Sequence, residues 1–219
     1  MLVLITEVYG QNVLRWRKID ANGSPPSPRQ DSAVGYDPNS NGVILFGGRS
    51  SNGVFSDTWL LDISSSSWKK VNFTVSNSKR IPNEIYGAVC GNARDGFLVA
   101  FGRGAVKDAI YDDIYRFDFN TTKWQQVQVN GKRPQRRYFA IGAVNGEHLY
   151  TSHGRAKAGL LSDTFRFSTS TGSWEEIHDD VNQYSPTAPH SRYAQSGTVM
   201  PGGNILMFGG CLRYARLCF

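Results

Sequence analysis

The sequence predicts an all-β repeat protein, and three observations carry that reading. The first is an apolar run that ends in glycines, Val43-Ile44-Leu45-Phe46-Gly47-Gly48. It returns as Phe97-Leu98-Val99-Ala100-Phe101-Gly102, Leu149-Tyr150-Thr151-Ser152-His153-Gly154 and Ile205-Leu206-Met207-Phe208-Gly209-Gly210. β-branched and aromatic residues suit a buried strand, and the glycines let the backbone turn through positive φ or approach a neighbour closely. The second is register. Trp16, Trp68, Trp124 and Trp174 are 52, 56 and 50 residues apart; Asp57, Asp113 and Asp163 are 56 and 50 apart; Pro26, Pro82, Pro134 and Pro189 are 56, 52 and 55 apart. A fixed period of that size marks a repeat architecture. The third is the lack of any segment with 3.6-residue apolar periodicity.

Each cycle divides into four short strands. Thr6–Tyr9 and Val13–Ile19 open the chain, and the turn-rich 21–28 follows. The first full cycle predicts strands at Ser32–Tyr36, Val43–Phe46, Asp57–Asp62 and Trp68–Val71. The second predicts Tyr86–Cys90, Phe97–Phe101, Asp113–Asp118 and Lys123–Val127. The third predicts Tyr138–Val144, His148–Ser152, Asp163–Phe167 and Ser173–Ile177. A fourth cycle supplies only Ala194–Val199 and Asn204–Phe208, and residues 211–219 match nothing earlier in the repeat. In the three full cycles the Trp comes six residues after Asp62, Asp118 and Ser168. The Asp opening each third strand is expected to cap a turn.

The combination Pro-x-x-Arg, apolar strand, Phe-Gly-Gly, Asp-x-aromatic and Trp-x-x-Val/Ile resembles the kelch repeat from about Pro26 to Gly210. The resemblance implies a β-propeller whose blades are four-stranded antiparallel sheets. It covers one domain, 1–210, with 211–219 as a tail. Three complete blades and two half blades are expected. Either the chain ends pair as a split blade, closing a four-bladed ring, or the domain is a partial ring; the unmatched tail favours the second. Two departures from the pattern are plain. Ile85 stands where the second cycle should have arginine, and the glycine doublets read Gly102-Arg103 and His153-Gly154 in the second and third cycles. Trp68, Trp124 and Trp174 are expected to fill the space between neighbouring blades.

With 219 residues and 40% hydrophobic composition, the chain can bury a substantial core. Its net charge of +6 is too small to imply nucleic acid and leans toward acidic partners. No apolar run is long enough to span a membrane, and Met1–Ile5 runs straight into Glu7 and reads as a strand, not as a signal peptide. Of three cysteines, Cys90 sits in an apolar alternation as a buried thiol, while Cys211 and Cys218 lack further zinc ligands. Sequons at Asn22, Asn72 and Asn120 do not settle the compartment, and a cytoplasmic location is expected.

The copper oxidases of the galactose oxidase kind are similar to this repeat, so an enzyme is one alternative. Copper needs converging imidazole and phenolate groups. His148, His153, His178 and His190 are scattered over a strand and separate loops, and neither a nucleophile with a base nor a phosphate loop is present. No catalytic residue, metal or cofactor is expected. A second alternative is the ectodomain of a receptor.

What recurs is arginine. Arg29, Arg137 and Arg192 each lie three residues after the repeat's proline, and Arg49, Arg103 and Arg155 fall at or just after the glycines closing the second strand. First and second strands are antiparallel, so all six belong at one end of the blades. Two roles are open to them: structural bridges to loop carbonyls and aspartates, or a basic rim that binds an acidic peptide or protein segment. The functional expectation is a protein-binding scaffold that uses the second.

Overall fold

Three cycles of alternating apolar residues fold into three four-stranded antiparallel sheets, each in simple consecutive order. The structure, a computed structural model, describes residues 2–8, 11–37, 39–72, 84–94, 96–107, 109–178, 189–200 and 203–212, those up to residue 17 through their backbone alone. Pro82, Cys218, the side chain of Trp16 and the tail from 213 lie outside the described residues.

The first blade comprises Ala33–Asp37, Gly42–Phe46, Thr58–Asp62 and Ser67–Lys70. The second comprises Val89–Ala93, Gly96–Ala100, Ile114–Asp118 and Lys123–Val127. The third comprises Ile141–Asn145, His148–Ser152, Thr164–Ser168 and Ser173–His178. Flanking them are two half blades, the hairpin Leu2–Val8/Gln11–Ile19 and the pair Ser196–Val199/Ile205–Phe208. Among the described residues these are separate two-stranded sheets, with no strand pairing between them.

Packing between blades explains the strand composition. A sheet with neighbours on both faces must be apolar throughout, whereas a one-sided sheet alternates. Gly96–Ala100 in the middle blade is buried at every position. Phe97 and Val99 enter the cluster shared with Ile44 and Phe46 of the first blade. Leu98 and Ala100 enter the cluster shared with Leu149 and Phe167 of the third. The tryptophans stand where expected. Trp124 packs on Phe46 of the preceding blade at 4.8 Å between ring centroids and on Phe117 of its own at 5.2 Å. Trp174 does the same with Phe101 at 5.5 Å and Phe167 at 5.1 Å.

The first strands of successive blades lie side by side and are the inner strands. Their approach is close enough to need glycine: a Cβ on Gly142 would stand 2.6 Å from the Val89 side chain and 2.7 Å from the Cys90 amide nitrogen.

Two sequence expectations need correction. The predicted strands Tyr86–Cys90 and Tyr138–Val144 start too early. Gly87 and Phe139 have φ of 62° and 54°, so the chain bends there, and the blade strand begins at Val89 and Ile141. The preceding Ile85–Tyr86 leaves the blade and pairs with Arg103–Gly104. Further, the second-cycle equivalent of Gly47-Gly48 is Phe101-Gly102, not Gly102-Arg103. Register decides this: Ala33 opposes Phe46 as Val89 opposes Ala100. Phe101 and His153 take φ of 61° and 60°, matching 65° at Gly47. A left-handed backbone costs a non-glycine residue about 1–2 kcal/mol. Packing of the Phe101 ring on Trp174, and a 2.7 Å hydrogen bond between His153 Nδ1 and Ser152 Oγ, help to offset it.

Candidate functional site: the arginine–tyrosine mouth

Arg29, Arg137 and Arg192 are built into the blades by one repeated set of bonds. Nε donates to the carbonyl two residues back (Ser27, Gln135 and His190, each at 3.0 Å). Nη1 donates to the carbonyl of the first doublet residue: Gly47, His153 and Gly209 at 3.1, 3.1 and 3.0 Å. In the two complete blades that have the arginine, its fork then grips the aspartate opening the third strand. Arg29 meets the Asp57 oxygens at 2.5 and 3.2 Å, and Arg137 meets those of Asp163 at 2.5 and 2.8 Å. The Arg137 side chain has no solvent exposure.

These aspartates therefore do not cap turns, as the sequence reading expected. Asp57 accepts instead from Arg29 and from the Trp59 indole at 2.8 Å. Turn capping falls to Asp62 and Asp118 at the other end of the third strand, which accept from the amides of Ser64 (2.8 Å) and of Asn120 and Thr121 (2.9 Å each). In the second blade Ile85 fills the arginine position and joins the apolar core. Its partner Asp113 accepts from Gln126 Nε2 at 2.8 Å, beside a cavity of about 10 Å³ lined by Ile85, Val99, Tyr111 and Tyr115.

Burial by itself pushes the Asp57 carboxyl up, but hydrogen bonds from Arg29 and Trp59 and the charges of Arg29 and Lys70 outweigh it and hold the carboxyl below its ordinary value. A depressed carboxyl contributes stability that is present above the unfolded-state pKa and lost as pH falls through the folded one. Acid unfolding below the ordinary carboxylate range is thus expected to flatten in Asp57→Asn. Equal slopes for the two proteins in pH-dependent urea titrations would contradict that assignment.

Arg49, Arg103 and Arg155 occupy equivalent positions just past the doublets, and each pairs with the residue that follows the blade arginine position. Arg49 opposes Gln30, Arg103 opposes Tyr86, and Arg155 opposes Tyr138. Their guanidinium groups lie over tyrosine rings of the next cycle: Arg49 over Tyr86 at 4.5 Å, Arg103 over Tyr138 at 5.4 Å and Arg155 over Tyr193 at 5.9 Å. Phe139 sits among these rings, 6.0 Å from Tyr86, 5.2 Å from Tyr138 and 6.3 Å from Tyr193. Arg49 also pairs with Asp31 at 2.7 Å, and Arg103 donates to the Tyr138 hydroxyl at 3.3 Å. Arg103 has no carboxylate partner among the described residues. All three arginines are half-buried. A cation held over a ring face is fixed in place by the ring's quadrupole.

The sequence reading missed the tyrosines, Phe139 and Asp31. A signal was present, since Tyr86, Tyr138 and Tyr193 each directly follow the blade arginine position. Among the described residues, no group of three or more His, Cys, Asp or Glu is arranged to hold a metal ion. Cys90 is a free thiol whose pKa burial raises, and Cys211 is disulfide-bonded.

Repeated blades with this internal arginine and this interblade tryptophan agree with the comparisons. The family profile described as the KLHDC2/KLHL20/DRC7 Kelch-repeats domain matches residues 6–210. The chain belongs to the kelch-repeat family. Such domains are generally non-enzymatic protein-interaction scaffolds with a β-propeller fold. Similar proteins include Adagio protein 3 of Arabidopsis thaliana, 31% identical over 98% of this chain and 34% of the relative. Adagio-like protein 1 of Oryza sativa subsp. japonica is 29% identical over 98% and 33%. Kelch domain-containing protein 10 of Xenopus laevis is 27% identical over 80% and 41%. The kelch chain thus spans about a third of the length of the Adagio relatives.

Proposed function

We propose that this kelch domain binds an acidic peptide or protein segment at the mouth formed by Arg49, Arg103 and Arg155 with Tyr86, Tyr138, Phe139 and Tyr193. One observation carries the reading: arginines of three successive blades rest on aromatic rings at the inner end of the blades, which hold their planar cationic groups in place. The blade arginines Arg29 and Arg137, neutralised by Asp57 and Asp163, shape the loops beneath, as Arg192 does through carbonyls alone. The mouth arginines are the contact set. Aromatic and arginine side chains are also the types that dominate binding energy at protein interfaces.

The test is charge reversal. Arg103→Glu with Arg155→Glu is expected to weaken binding of a fluorescent Glu-rich peptide at least tenfold, with little change in the thermal midpoint. Wild-type affinity should fall as salt rises. The control is Arg116→Glu on an outer hairpin, 3.5 Å from Gln125, which alters net charge and leaves the mouth intact. Equal losses in control and mouth variants would reduce the effect to bulk charge and overturn the site.

The disulfide at Cys211 favours the receptor-ectodomain alternative, since such bonds persist mainly in oxidising compartments. Asn72 and Asn120 are exposed. An enzymatic deglycosylation mass shift in protein from secreting cells is the result that reading requires.

A further inference from the structure

One backbone conformation recurs at the inner edge of the mouth, two residues after each blade arginine position. Asp31, Gly87, Phe139 and Ala194 stand there with φ of 60°, 62°, 54° and 56°. A line of hydrogen bonds between cycles fixes it. Gly87 N–H donates to the Asp31 carbonyl, Phe139 N–H to that of Gly87 and Ala194 N–H to that of Phe139, at 2.8–2.9 Å. Left-handed backbone suits glycine and is tolerated by short polar side chains, whereas a bulky one meets a steric penalty there. Phe139 is the one bulky residue of the four.

The Phe139 ring does not fold away into its own blade. A Cβ at Gly87 would stand 2.7 Å from it, so the ring rests against the entry to the second blade, and only glycine leaves room for it. Tyr86, Tyr138 and Tyr193 surround it at 5.2–6.3 Å between centroids, and the Arg49 guanidinium of the first blade is 5.8 Å from its centre. One side chain thus meets groups from all four cycles, yet it is only half-buried. Arg103 and Arg155 both lie over the adjoining Tyr138 ring, at 5.4 and 5.9 Å. The result is an apolar surface with a cationic group beside it from each of three blades. Strained backbone at a bulky, half-exposed residue points to a role in binding, since packing alone would be served by a residue further inside.

We propose that Phe139 is the apolar seat of the mouth, and that the segment bound there carries an apolar side chain with acidic side chains on either side of it. This rests on the acidic-segment reading of the mouth and adds the residue that selects among acidic segments. In an extended segment, side chains two positions apart share a face and lie about 7 Å from each other. An apolar side chain on Phe139 then brings acidic side chains two positions away toward Arg49 on one side and Arg103 or Arg155 on the other. The pattern recognised is acidic-x-apolar-x-acidic. A segment with charge alone leaves the Phe139 ring facing water and forgoes that contact.

The test uses two fluorescent peptides of equal charge, capped at both ends: Glu-Ser-Leu-Ser-Glu and Glu-Ser-Ser-Ser-Glu. By fluorescence anisotropy, the wild-type protein is expected to bind the Leu peptide about tenfold more tightly, the scale of one apolar side chain partly withdrawn from water. Phe139→Ala should bring the two affinities within about twofold of each other, because the seat is gone, while the Ser peptide keeps its salt-sensitive binding. Alanine already holds this conformation at position 194, and circular dichroism checks that the variant is folded. The wild-type comparison needs no variant and stands even if Phe139→Ala unfolds. Equal binding of both peptides by the wild-type protein would overturn the seat and leave the acidic-segment reading intact. Binding of neither would overturn both. A Leu preference undiminished in folded Phe139→Ala would overturn the assignment to Phe139.

Discussion

Replacing Arg137 with alanine is expected to destabilise the domain by about 3–5 kcal/mol, because it strands the Asp163 carboxylate in a site built for a guanidinium. Arg137 is fully buried and donates to two carboxylate oxygens and two carbonyls, so its removal leaves four buried acceptors without their donor. Arg192→Ala should cost clearly less. Arg192 is partly exposed and, among the described residues, bonds the carbonyls of His190 and Gly209 with no aspartate to leave behind. A paired change, Arg137→Met with Asp163→Leu, should recover much of the loss, since the penalty comes from an unpaired charge and not from the missing pair itself. Urea denaturation of the four proteins measures this. A cost for Arg137→Ala no larger than for Arg192→Ala would show that the ion pair adds nothing to the blade.

Trp124→Ala is expected to cost a similar amount, about 3–5 kcal/mol, by opening a cavity between two blades at once. The indole touches Phe46, Phe97 and Phe117, and its Nε1 donates to Thr58 Oγ1 of the neighbouring blade at 2.9 Å. Trp68→Ala should cost less, because Trp68, half-buried like Trp124, has no such rings against it among the described residues. The same comparison sheds light on Trp174, whose Nε1 is buried without a partner. Its neighbour at the position of Thr58 is Ile114, which has no hydroxyl to accept. Equal losses at Trp68 and Trp124 would refute the interblade account. Both proteins can be followed by tryptophan fluorescence as well as by denaturation midpoint.

Strand order and blade count were legible in the sequence because both are local. Alternating apolar residues, glycine punctuation and a Trp at fixed spacing need no knowledge of distant neighbours, and Trp124 and Trp174 sit between blades as that spacing implied. The gripping of Arg29 by Asp57 was open to sequence reasoning only as one alternative, since the two residues are 28 apart and join only after the second and third strands pair. Glycine matching misplaced the second doublet. Phe101 can hold a left-handed backbone because a ring from another blade packs on it, and the sequence around Phe101 carries no sign of that ring.

The chain by itself determined an all-β kelch architecture, the four-strand cycle and the positions of the interblade tryptophans, since periodicity and residue size are sufficient for these. Tertiary structure alone decided how the six arginines divide. Arg29 and Arg137 are consumed by aspartates inside the blades, while Arg49, Arg103 and Arg155 lie on Tyr86, Tyr138 and Tyr193. Arginine has one charge and one shape in either place. Which of two roles it takes is set by the groups that face it, and those arrive from strands and blades some 26 to 38 residues away.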